Sequence, residues 1–188
     1  MPLKREIEIS IKILKSGGTL IYPTDTVWGL GCDATDRKAV SKIFTIKQRE
    51  ESKSLIVLVD SFAMLQRYVP AIQNAILEIL KTGTNPTTVI YNNPMGLAQN
   101  VISSDNTVAI RIVKDGFCQE LIKQFDRPIV STSANISGRP TPKSFKEIDT
   151  SLLDAVDYVV NLPQNKPTKT PSTILKIGNS GQLVVIRD

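Results

Sequence analysis

Residues 54 to 59 read Ser-Leu-Ile-Val-Leu-Val. An apolar run of this length with no alternating polar face is the pattern of a strand covered on both sides. Such a strand demands a layer of other elements above and below it, and the flanking sequence supplies them. Ile7, Ile11 and Leu14 share one helical face before Gly17-Gly18. Ile7, Ile9, Ile11 and Ile13 also alternate as a strand would; the glycine pair, a usual helix stop, decides for a helix over 4 to 16. Asp36 is placed to cap a helix running to Lys47, with Val40, Ile43 and Phe44 inward. Further helices are expected at 61 to 68, 70 to 81, 116 to 125 and 144 to 148. Strands are expected at 19 to 22, 87 to 91, 107 to 113, 128 to 132, 157 to 161, 172 to 177 and 182 to 186, the last two joined by the turn 178 to 181. This order mixes βα alternation with hairpin-like pairs. It predicts an α/β protein, a single domain spanning 1 to 188, in which one mixed, twisted β-sheet is flanked by helices.

Several classes of chemistry drop out at once, because the chain contains no histidine. A Ser-His-Asp triad, a His-activated cysteine and an HExxH zinc site are all impossible. Cys32 and Cys118 form no CxxC pair and suit small buried positions in a reducing compartment. No apolar run approaches a membrane span, and the start, MPLKREIEIS, lacks the apolar core of a secretory signal. A cytoplasmic protein is expected. Lys and Arg number 23 against 18 Asp and Glu, a net charge of +5, which suits an anionic partner, a nucleotide or RNA. Aromatic residues are only 5%, few for a surface on which single-stranded bases stack.

Neither GxGxxG nor GxxxxGK[ST] occurs, so the standard dinucleotide and P-loop cradles are absent. Three polar clusters remain, each just after a predicted strand or at a helix end. Thr24-Asp25-Thr26 follows the strand at 19 to 22, with Trp28 close behind. Lys47 and Arg49, two residues apart, would face one anionic ligand together if the chain there is extended. Ser133, Asn135 and Ser137 follow the strand at 128 to 132 and offer uncharged hydrogen-bonding groups ahead of Gly138. Residues 162 to 171, with three prolines, fit either a surface connector or a lid.

In this order and spacing the clusters resemble the YrdC family of threonylcarbamoyl-AMP synthases. PTDTVWGLG is similar to that family's Pro-Thr-Asp-Thr segment, Lys47-Gln48-Arg49 to its KxR motif, and Ser133-Ala134-Asn135 to its SxN motif. TVAIRIV around Arg111, PSTIL at 171 to 175 and VVIRD with Arg187 extend the likeness over nearly the whole chain. Two features depart from it. TGTNPTT stands where many members carry Trp-Pro-Gly-Pro, and the strand after KxR lacks their histidine. The ending soon after Arg187 resembles the short form.

The resemblance implies a concave, electropositive ligand cavity and an L-threonylcarbamoyladenylate synthase. Such an enzyme joins L-threonine, bicarbonate and ATP, with Mg2+, and releases pyrophosphate. Its product serves a separate tRNA threonylcarbamoyl transferase, and tRNA itself is a further candidate partner that the resemblance brings in. By the same resemblance Lys47 would neutralise ATP phosphates, and Arg49 would grip the threonine carboxylate or carbamate. Thr24, Thr26 and Arg111 would bind the amino acid or carbamate. Ser133 and Asn135 would hold phosphate or ribose, with Ser172 and Arg187 closing the nucleotide side. No magnesium ligand is assigned. A Lys–phosphate attraction at about 4 Å is worth about 4 kcal/mol at an effective dielectric of about 20. Lys47→Ala is therefore expected to abolish most activity while scarcely changing the melting temperature. The alternatives are a non-catalytic tRNA- or structured-RNA-binding module and a related carbamoyl-transfer domain with another acceptor.

Overall fold

The computed structural model describes residues 2–51, 54–83, 85–163, 172–177 and 182–187. The turn expected at 178 to 181 and residues 164 to 171 of the connector-or-lid segment lie outside them. Among the described residues, nine strands form one mixed sheet in the order β7-β1-β2-β6-β3-β5-β4-β8-β9. In chain order these are β1 (Leu20–Tyr22), β2 (Gly29–Gly31), β3 (Ile56–Val59), β4 (Thr87–Asn92), β5 (Thr107–Ile112), β6 (Ile129–Ser133), β7 (Tyr158–Val159), β8 (Thr173–Ile177) and β9 (Leu183–Arg187). The helices are α1 (Pro2–Lys15), α2 (Arg37–Lys47), α3 (Phe62–Tyr68), α4 (Asn74–Thr82), α5 (Gly116–Phe125) and α6 (Thr150–Ala155).

The run at 54 to 59 lies near the middle of the sheet, parallel to β5 and antiparallel to β6. Val57, Leu58 and Val59 are fully buried, as a strand covered on both faces requires. The glycine stop after α1 is real: Gly17 takes a φ of 72°, and Gly18 N–H returns to Ile13 C=O. Asp36 caps α2 by accepting from the Lys38 and Ala39 amides. Asp115 and Ser61 cap α5 and α3 in the same way.

Four expectations are corrected. The helix predicted from residue 70 begins at Asn74, since residues 70–73 carry a Pro and no side-chain cap forms at Gln73. The expected strand at 157 to 161 contracts to Tyr158–Val159, at the sheet edge against β1. The segment at 144 to 148 is a 3-10 turn over Phe145–Glu147, and α6 follows it unforeseen. A short strand was also missed, because β2 is Gly-Leu-Gly and carries little β propensity. Its glycines are required by close approach. A Cβ on Gly31 would stand 2.0 Å from the Val130 carbonyl oxygen.

Candidate active site

Side chains of neighbouring strands in register point to the same face, and so do residues two apart along a strand. Ser131, Ile56, Ala109 and Ile90 are cross-strand partners in one row over β6, β3, β5 and β4. Arg111, Thr88, Ile174 and Arg187 form the adjacent row over β5, β4, β8 and β9. Both rows lie on one face, and they floor a cavity of about 350 Å³. That volume lies within the range of small-molecule sites. The loop at 24 to 27 and Arg49 with Ser54 close its sides.

The turn after β1 is built by its own hydroxyls. Thr24 Oγ1 donates to Val27 C=O at 2.7 Å and accepts from the Thr26 amide at 3.1 Å. The next two side chains engage Arg111. Its Nη1 donates to Thr26 Oγ1 at 3.3 Å, and its Nη2 stands 3.0 Å from Asp25 Oδ1, with both side chains largely out of solvent. The Asp25 contact is a charge pair rather than an aligned hydrogen bond. Both carboxylate oxygens keep their hydrogen-bonding capacity, as does Arg111 Nε. Trp28 is not a ligand platform. It is buried and packs edge-on against Phe145, centroids 4.9 Å apart.

Arg49 lies across the cavity, held by one bond from its Nη2 to Ser54 C=O at 2.8 Å, while its buried Nε has no partner. Burial lowers its pKa below the usual arginine value. Arg187 donates through Nε and Nη2 to Ser172 C=O, and Ser172 Oγ meets Thr88 Oγ1 at 2.8 Å. Burial first, then the neighbouring Arg111, lowers the Arg187 pKa. Three guanidinium groups thus border one hollow, two of them with buried N–H groups unmatched, and the nearest carboxylate is already paired. This arrangement favours an anionic guest with several acceptor oxygens.

Seven of the nine residues singled out in the sequence line this cavity: Thr24, Thr26, Arg49, Arg111, Ser133, Ser172 and Arg187. Lys47 and Asn135 are not among the residues that line it. The expected extended geometry at Lys47-Gln48-Arg49 does not form, because Lys47 ends α2 and Gln48 turns the chain with a φ of 50°. Lys47 is 1% exposed and donates to Ser133 C=O at 2.6 Å and Asn135 C=O at 2.5 Å. Burial, and then Arg49, pull its pKa down to about 8. The Asn135 amide donates to Ile136 C=O and Arg139 C=O, shaping its own turn. Removal of a side chain so deeply placed cannot leave the melting temperature unchanged, which corrects the expectation for Lys47→Ala.

Sequence reasoning missed Ser131, Thr141 and the apolar floor. A signal for Ser131 existed, since it is two residues before Ser133 on one strand. Among the described residues no three His, Cys, Asp or Glu side chains gather as a cation cage. No helix there is long and apolar enough to cross a membrane.

The model of the Sua5, YciO and YrdC proteins, described as "Telomere recombination", matches residues 12–188. The chain belongs to this family. A threonylcarbamoyl-AMP synthase of Pseudoalteromonas translucida is 32% identical over 89% of the chain and 91% of its own length. A putative threonylcarbamoyl-AMP synthase of Methanocaldococcus jannaschii is 34% identical over 98% and 86%. Among solved structures, Sua5 of P. abyssi complexed with L-threonine superposes with a TM-score of 0.84 at 27% identity. The chain spans about half of that longer protein, 53%, with 96% of its own residues matched. YciO of E. coli matches over 98% of the chain and 89% of its own, with a TM-score of 0.81 at 25% identity.

Proposed function

We propose that this protein is an L-threonylcarbamoyladenylate synthase. The amine of L-threonine and bicarbonate form a carbamate with loss of water. A carbamate oxygen then attacks the α-phosphorus of ATP, the bond from that phosphorus to the β-phosphate oxygen breaks, and pyrophosphate leaves. The observation that carries this reading is one hollow shared by Arg49, Arg111 and Arg187 with the hydroxyls of Thr24, Thr26, Ser133 and Ser172. Its support from outside the cavity is the family, whose curated relatives are named for this activity.

A carbamate is already a nucleophile, so the protein has to position it and to balance charge; no histidine is needed. Arg49 and Arg111 suit the threonine carboxylate and the carbamate, since a planar guanidinium matches a carboxylate with two parallel N–H groups. Thr24 and Thr26, with hydroxyls held at 3.1 Å from each other, border the same region and would orient the amino acid. Ser133 would hold phosphate or ribose, and Ser172 and Arg187 would face the nucleotide from the far side. L-threonine bound to Sua5 supports this choice of amino acid. Magnesium enters as part of the Mg-ATP substrate, the usual route of that ion into nucleotide sites. In this reading the product passes to a tRNA threonylcarbamoyl transferase in the cytoplasm, where the free, buried Cys32 and Cys118 suit a reducing medium.

The deciding experiment is pyrophosphate release by the purified protein. It should require L-threonine, bicarbonate and Mg-ATP together, and L-serine should replace threonine poorly. Release without threonine, or equal rates with carbamoyl phosphate and no bicarbonate, overturns the assignment.

A further inference from the structure

Among the described residues, Lys47 is the one deeply buried cation near the cavity that does not line it. Two of its three ammonium protons are committed to Ser133 C=O and Asn135 C=O. Its own carbonyl accepts from the Ser137 amide at 2.9 Å. The end of α2 is therefore fastened to the turn 133–137 at three points, two through the side chain and one through the backbone. Arg49 leaves that same helix end two residues later, and Ser133 begins that same turn. Both line the cavity.

We propose that Lys47 is a positioning residue: by clasping the Ser133 and Asn135 carbonyls it fixes the separation between the Arg49 guanidinium and the Ser133 hydroxyl across the cavity. It acts on the substrate through Ser133 and not by touching phosphate. The clasp rests on the synthase reading for its kinetic consequence, but not for its structural one. Two charge-assisted bonds to carbonyls of a single turn hold it more tightly than neutral bonds would. A misplacement of about 1 Å in such a site costs on the order of 100-fold in rate.

A double-mutant cycle between Lys47→Met and Ser133→Ala tests the claim, with kcat and KM for ATP measured separately by pyrophosphate release. Methionine keeps the length and removes the donors. Lys47→Met should lower kcat/KM about 100-fold, and adding Ser133→Ala should cost little more, because both changes disable one group. Multiplicative effects of the two substitutions overturn the proposal, since independent contacts add in free energy. If Lys47→Met does not fold, the same cycle with Lys47→Arg, which retains charge and donors, decides between the same two outcomes. If the wild-type protein releases no pyrophosphate, the synthase reading fails and amide exchange decides for the clasp. Faster exchange confined to the turn 133–137 in the Lys47 variant then supports it, and unchanged exchange there refutes it.

Discussion

The cavity has two walls of unlike construction. The inner wall, where the 24 to 27 loop, β5, β6 and the end of α2 meet, is buried and cross-braced. Arg111 reaches Asp25 and Thr26, Lys47 holds two carbonyls, and Gly31 lies against the backbone of Val130. The outer wall is the sheet edge. Every described residue of β9 is exposed, Val185 and Ile186 to 59% and 54%, and Arg187 is held mainly through Ser172. The contrast assigns different work to the two sides. Braced, desolvated groups give a fixed geometry in which charge acts strongly, whereas an edge strand can admit a ligand without breaking the core. Substitutions in the inner wall should therefore cost stability and activity together, and those in the outer wall activity alone.

The largest loss is expected at Arg111→Met. It leaves Asp25 buried without its counter-charge, a change that typically costs 3–5 kcal/mol. Chemical denaturation should show this loss, and pyrophosphate release should vanish. Adding Asp25→Asn should restore much of the stability and none of the activity; restored activity would remove Arg111 from substrate binding. Lys47 gives a second inner-wall effect, with its sign set by burial. Its folded pKa of about 8 lies below the ordinary 10.5. Below pH 8 the folded protein carries the full penalty of a buried ammonium. Between about pH 8 and 10.5 the unfolded chain binds the extra proton, so stability rises with pH. Relative to Lys47→Met, the wild type should gain at most about 3 kcal/mol over that window. A flat difference would mean that the two carbonyl bonds offset the burial.

Gly31→Ala comes next, at roughly 1–3 kcal/mol, because the new methyl group meets the Val130 carbonyl and Tyr22 Oη and must force β2 from β6. Thermal unfolding should register the loss, and the rate should fall with it, since Thr24 and Ser133 both adjoin Gly29 at the end of that pairing. The milder Gly29→Ala approaches Ser131 Oγ and Thr24 Cγ2 at 3.1 Å. It should perturb binding more than folding.

These two glycines also show what the sequence could convey. Elements with a strong local pattern were legible: α2 from its Asp36 cap to Lys47, α5 over Gly116–Phe125, and β3 from its unbroken apolar run. β2 was not, because Gly-Leu-Gly pairs only by virtue of the partners it packs between, a tertiary effect invisible in local propensity. At the site, three polar clusters and the family resemblance they carry named the cavity-lining Thr24, Thr26, Arg49, Arg111, Ser133, Ser172 and Arg187. They gave no hint that one left-handed residue, Gln48, would send Lys47 and Arg49 in different directions. Nor could they foretell that Asp25 and Arg111, 86 residues apart, would pair.

The outer wall supplies the smallest expected change in stability and the sharpest separation of the two sides. Arg187→Ala removes an exposed side chain whose bonds go to one carbonyl and one hydroxyl at the sheet edge. Surface changes of this kind usually move stability by no more than about 0.5 kcal/mol. A hydrogen bond to a charged group is worth about 1.5–3 kcal/mol, so losing one to phosphate should raise KM for ATP about 10- to 100-fold. KM for threonine should stay nearly constant, because Arg111 keeps its contacts to Asp25 and Thr26 and Arg49 its bond to Ser54. If Arg187→Ala instead lowers the melting temperature as much as Gly31→Ala does, the edge strand is part of the same cooperative unit as the inner wall. The division of labour between the walls then fails.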